Sequence, residues 1–162
     1  MNRKMALLVI ISFTIMVMVA GIFYYSYLLM ERQTWHLVVE DPRDNVEYYF
    51  IKIKPGDHFT LTCRNSVSKS LVTGTFAITT KGQFEPLTTA FTSYGPGLPL
   101  DFLEEYEIEG NVITVIHSEE PRDSIRLWVT PSTEETFYLN NMAYPLGELT
   151  DTYLLVYIYV SK

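Results

Sequence analysis

The chain has 162 residues, with 19 acidic and 12 basic side chains, a formal net charge of −7 and a single cysteine, Cys63. One cysteine excludes an internal disulfide framework and any cysteine-rich metal site. The acidic balance argues against nucleic acid, whose phosphates are held by a basic stripe.

Taken in chain order, Arg3 and Lys4 precede an uncharged stretch from Met5 to Met30. As a helix those positions extend roughly 39 Å, more than the ~30 Å hydrocarbon core, so a single transmembrane helix is expected over residues 1–30. A secretory signal peptide competes for the same pattern, but its apolar region is shorter and is followed by a small-x-small cleavage site. Val19-Ala20-Gly21 is a weak match to that site, and Tyr24, Tyr25 and Tyr27 suit an interfacial anchor at the far end of a retained helix. Arg3 and Lys4 outweigh Arg32, so the positive-inside rule puts the amino terminus in the cytoplasm. Residues 31–162 then lie outside, anchored by one span of the cell membrane. With Arg3 and Lys4 set aside, that part carries ten basic against nineteen acidic residues, a formal charge of −9.

Beyond the anchor the apolar pattern has period two. Trp35–Glu40, Val46–Ile53, Asp57–Arg64, Leu71–Thr79, Gln83–Phe91, Asn111–His117, Ser124–Thr130, Thr136–Asn140 and Thr152–Val160 read as strands bounded by Gly, Pro, Asn or Asp. Helical periodicity is nearly absent after the anchor, which predicts one all-β domain over 31–162, an antiparallel β-sandwich or barrel-like fold. Glu109-Gly110-Asn111 is the clearest hairpin turn. In the strand with Phe59 and Leu61, Cys63 shares the apolar face and reads as a small core residue. The last strand is apolar on both faces, with Leu154, Val156, Ile158 and Val160 on one and Tyr153, Leu155, Tyr157 and Tyr159 on the other. A central strand covered on both sides is expected, with an aromatic ligand platform or protein contact as the alternative. Glu104, Glu105, Glu107 and Glu109, with Glu119 and Glu120, read as a solvated acidic face.

Ser93-Tyr94-Gly95-Pro96-Gly97-Leu98-Pro99 is the most constrained segment. Its glycines reach φ > 0 freely, and its prolines lock φ and donate no backbone hydrogen bond, so it is a turn or binding loop rather than a ladder-forming strand. Together with Gly56-Asp57-x-Phe59-x-Leu61, Asn65-Ser66-Val67 and Phe76, this segment resembles the bacterial and archaeal family called domain of unknown function 1850. The resemblance spans roughly residues 35–145. That family is associated with tripartite ATP-independent periplasmic (TRAP) transporters of the TAXI type, which implies an accessory protein whose partner is the permease or the solute receptor. Where the family usually carries His-Ser-Val and a later glutamate, this chain has Asn65-Ser66-Val67 and Gly74, so a titrating pair is missing here.

Other chemistry is sparse. Ser66 has no histidine at a recognisable motif spacing, and His36, His58 and His117 lack metal-ligand pairing. Asp41-Pro42-Arg43-Asp44 resembles part of a calcium loop without its glycine and terminal glutamate, and reads as a turn. No catalytic residue, metal site or cofactor is expected, and the chain is read as a non-enzyme. Asn65, Ser66, Ser93, Tyr94, Gly95, Gly97 and Leu98 are the expected binding residues, placed close together on one polar surface. A small-ligand-binding β-domain is the second reading, and a hydrolase ranks last.

Overall fold

A computed structural model describes residues 3–32, 35–93 and 105–162, with side chains in the first helix described over 11–26. The chain divides into two units, Met1–Thr34 and Trp35–Lys162. The first holds helix α1, Arg3–Arg32, two residues longer at its end than the expected anchor. Two of its hydroxyls turn back on the backbone: Thr14 Oγ1 donates to the Ile11 carbonyl and Ser26 Oγ to that of Phe23, both at 2.9 Å. Phe13, Met16, Ile22 and Phe23 are all more than half exposed. Among the described residues, no helix is long and apolar enough to cross a membrane.

The second unit is built from strands β1 (Trp35–Asp41), β2 (Val46–Ile53), β3 (His58–Arg64), β4 (Leu71–Ile78), β5 (Phe84–Phe91), β6 (Glu105–Glu109), β7 (Val112–Ile116), β8 (Ser124–Val129), β9 (Thr136–Leu139), β10 (Met142–Pro145) and β11 (Leu154–Ser161), with a short 3₁₀ turn at Gly147–Leu149. They form two antiparallel sheets. Sheet A has the order β2-β1-β11-β8, and sheet B the order β10-β9-β3-β4-β5-β7-β6. Among the described residues neither strand order returns on itself, so the expected all-β domain takes the form of two antiparallel sheets.

The period-two pattern decides which side chains meet. Leu37 and Val39 of β1, Leu154, Val156 and Ile158 of β11 and Val129 of β8 face one core with Phe59, Ile78, Phe84, Phe137 and Leu139 of sheet B. The Phe59 ring is its centre, stacked on Phe76 at 5.0 Å, edge-on to Phe84 at 5.2 Å and tilted against Phe137 at 4.9 Å. Each such buried side chain contributes on the order of 1.5–3 kcal/mol, and it does so only if the register keeps it on the inner face.

Turn chemistry fixes that register. Gly110 has φ +62 between the paired ends of β6 and β7, as a two-residue hairpin with glycine first requires. Asn140 and Asn141, with φ 51 and 63, supply the double left-handed turn between β9 and β10. The expected strands recur with ends shifted by a residue or two, while β6 and β10 are additions. In β6 every residue is exposed, so Glu105, Glu107 and Glu109, with the exposed Glu119 and Glu120, are solvated as charge alone suggested, while Glu104 lies outside the described residues.

The terminal strand corrects one expectation. It is an interior strand, between β1 and β8, yet only one of its faces is covered by the second sheet. Tyr153 is 65% exposed, and Tyr157 and Tyr159 are half-buried on the side away from the core.

Candidate functional site

Asn65 lies where β3 runs out, and the chain must turn within five residues to start β4. Its side chain is buried, and Oδ1 accepts the amides of Val67 and Ser68, each at 3.0 Å. Its own amide donates to the Ser70 carbonyl, and its carbonyl accepts from Lys69, a residue held at φ 57. An asparagine oxygen that caps two turn amides is a local device for closing the loop. Ser66 is exposed beside it.

From this turn a chain of hydroxyls runs to Ser93. Ser68 Oγ lies 2.7 Å from Ser70 Oγ, which lies 2.9 Å from Ser93 Oγ. Ser93 is thereby joined to the Asn65 turn, 23 residues earlier in sequence at Ser70. Tyr94, Gly95, Gly97 and Leu98 lie outside the described residues. Gly74 sits in the middle of β4 opposite Leu61, on the core-facing side, where an added Cβ would meet Phe76 Cε2 at 3.1 Å. That position leaves no room for a carboxylate unless the Phe76 ring moves.

The outer face of sheet A is the second candidate. Register brings Tyr157 opposite Arg126, Leu155 opposite Trp128, and Val38 opposite both Tyr159 and Phe50. Trp128 and Phe50 are each 54% exposed. The rings are tied to one another and to cations. His36 stacks on Phe50 at 4.0 Å, Tyr157 lies 5.4 Å from Tyr159, and Trp128 meets Tyr153 edge-on at 5.7 Å. Arg126 lies over Tyr157 at 5.0 Å and Arg43 over Trp128 at 5.9 Å.

Arg43 is held there by Asp41. The buried Asp41 carboxylate accepts the Arg43 amide at 2.8 Å and two guanidinium nitrogens at 3.1 and 3.2 Å, which makes the Asp-Pro-Arg-Asp segment a turn, as expected. The Arg43 hydrogen bonds hold the Asp41 pKa below the usual carboxylate range. On the same face Tyr159 donates to Glu40 Oε2 at 3.1 Å. Burial, followed by that carboxylate, pushes the Tyr159 phenol up, whereas Ser124 and Arg126 pull Tyr157 down.

The third region is the outer face of sheet B. Thr62 lies opposite Thr136 and Thr73, and Thr60 opposite Tyr138 and Thr75, so this face carries threonines where sheet A carries rings. At its β9 end, the loop after β8 crosses the loop after β10. Glu135, 6% exposed, accepts the Thr130 amide and the Thr133 hydroxyl through its carboxylate, while its carbonyl accepts the amides of Leu146 and Gly147. Cys63 is half-buried on the opposite side of β3, and burial, then the Glu135 charge, raise its thiol pKa, which disfavours the thiolate. Among the described residues no three metal-ligating side chains converge, and His117 is occupied by Thr89 at 2.8 Å.

Of the expected site residues, Asn65, Ser66 and Ser93 are therefore neighbours along one turn and one hydroxyl chain. The aromatic–arginine face was legible only in part. Tyr153, Tyr157 and Tyr159 stand out in the last strand, but Phe50, Trp128 and Arg126 join them solely through strand pairing. Chain comparisons add no relative: no family model, curated protein or solved structure matches.

Proposed function

We propose that this protein is a membrane-tethered, extracytoplasmic β-sandwich that works by protein contact, as an accessory of a TRAP transporter of the TAXI type, with the permease or solute receptor as its partner. The observation that carries the contact reading is the outer face of sheet A. Tryptophan, tyrosine and arginine are the residues that concentrate binding energy at protein interfaces, and this face gathers Trp128, Tyr153, Tyr157, Arg43 and Arg126 on one surface. Their contacts with one another restrict their rotamers before any partner arrives, which lowers the ordering cost of binding. Tethering is supported by the uncharged run Met5–Met30 and the charges before it, and the transporter by the loop residues Ser93–Pro99 and Asn65-Ser66-Val67, which resemble the family's motifs.

The test is recovery of the tagged full chain from native membranes, with its partner identified by mass spectrometry. A TRAP permease or receptor should co-purify, and the Trp128→Ser, Tyr153→Ser double variant should lose it at least about tenfold while melting within about 0.5 kcal/mol of the wild type. Undiminished co-purification by the double variant would refute the face. Release of the protein by an alkaline wash, or a mature chain beginning near Gly21, would refute the tether.

A further inference from the structure

Two hollows on the outer side of sheet B share one wall. The larger, about 620 Å³, runs between β3 and β9 and the crossing loops at 131–135 and 145–151. The smaller, about 420 Å³, lies beside the β9–β10 turn. Tyr138 lines both and is 41% exposed, so its ring stands as a ridge between them.

We propose that this double hollow binds a short oligosaccharide of neutral or amino-bearing sugars, one ring stacked on Tyr138 and its neighbours lying in the hollow on either side. Shape is the first argument, because a ridge with a trough on each flank fits a chain of rings rather than one compact solute. The volumes lie in the range of small-molecule sites. Chemistry is the second. A sugar ring presents an apolar C–H face, suited to one aromatic platform, and hydroxyls around its edge. The walls answer with polar groups: on one side Asp151 and the hydroxyl oxygens of Thr62 and Thr136, which donate to backbone carbonyls and accept from a ligand, and on the other Thr60, His58 and Asn140.

Charge narrows the class. Arg64 is engaged by Glu134 at 2.8 Å, whereas Glu148 and Asp151 are exposed and form no ion pair among the described residues. Uronic, sulfated or phosphorylated sugars are repelled, and a protonated amino sugar is favoured. An extended peptide fits worse: β9 is paired on both edges, by β3 and β10, and offers no free edge for an added strand. The site is also built in advance, since Glu135 holds together the two loops that form its wall.

The test uses the full chain in a zwitterionic, sugar-free detergent, titrated calorimetrically with a glucosamine trimer, its N-acetylated form, a trimer of galacturonic acid and spermine. At least one of the first two should bind saturably, the uronic trimer should not, and Tyr138→Ala should weaken the interaction about tenfold or more while Tyr138→Phe retains it. If Tyr138→Ala fails to fold, the surface pair Glu148→Gln, Asp151→Asn takes its place and should weaken the glucosamine trimer severalfold. No binding of either trimer at millimolar concentration would overturn the proposal. So would affinity indifferent to these substitutions, or spermine binding as tightly as the trimers, which would reduce the site to a patch of negative charge.

Discussion

The outer faces of the two sheets are built on the same alternation and share one core, yet they are opposites. Sheet A turns rings and guanidinium groups outwards, from Phe50 across Tyr159 and Tyr157 to Trp128. Sheet B turns out threonines, and its relief comes from loops that cross at its β9 end. A flat aromatic surface suits a broad partner, and a furrowed polar one suits a narrow ligand. The contrast teaches that alternation settles which residues leave the core and leaves open what they do outside it.

The sharpest way to break the furrowed side is at Gly147. An added Cβ there would lie 2.9 Å from the Thr130 carbonyl oxygen and 3.3 Å from Glu134 Cα, both backbone atoms with little freedom to retreat. Gly147→Ala should cost about 1–3 kcal/mol in thermal or urea unfolding, as overpacking does. Both tryptophans belong to sheet A, so their fluorescence should follow the same lowered midpoint as circular dichroism if the common core makes the domain cooperative. Separate midpoints would show that the two sheets unfold independently.

Asn65 offers a smaller and more discriminating test. Removing its oxygen strands two turn amides, so Asn65→Ala should destabilise by about 1 kcal/mol and Asn65→Asp, which keeps an acceptor, by less. If association with the membrane partner falls while the melt is unchanged, the turn is a recognition element and the contrast between the two faces needs redrawing.

The smallest effect is expected at the edge of the aromatic face. Arg43 depresses the Asp41 pKa, so the folded protein releases that proton more readily than the unfolded chain does. The stabilisation is complete above the ordinary carboxylate pKa and disappears as pH falls through the lowered folded value. Asp41→Asn should therefore melt below the wild type near neutral pH, with the difference closing in strong acid. A difference that does not change with pH would mean that packing, and not the charge, holds Arg43 over Trp128.

Much of the fold was legible because one chemical signal repeats. His58–Arg64 sets Phe59, Leu61 and Cys63 between polar residues, and such a segment gains from burial only as a half-covered strand. The strand β6 was not, because Glu105-Tyr106-Glu107-Ile108-Glu109 has too little apolar surface to announce itself and owes its place to the Gly110 hairpin and the partner strand β7. Of the candidate site, Asn65 and Ser93 were visible as special residues. Their connection through Ser70 was not, since a hydroxyl contact between distant segments leaves no mark on spacing.

By itself the sequence determined the uncharged amino-terminal run, an acidic β-domain after it, and which residues share an apolar face within a strand, Phe59 with Leu61 and Leu154 with Val156 and Ile158, because periodicity is a property of each segment alone. Only the tertiary structure decided that the tyrosines of the last strand stay uncovered beside Trp128 and Arg126, and that Tyr138 divides two hollows. Those outcomes depend on which strands become neighbours and where loops cross, and strand pairing is a choice among distant segments that no single segment encodes.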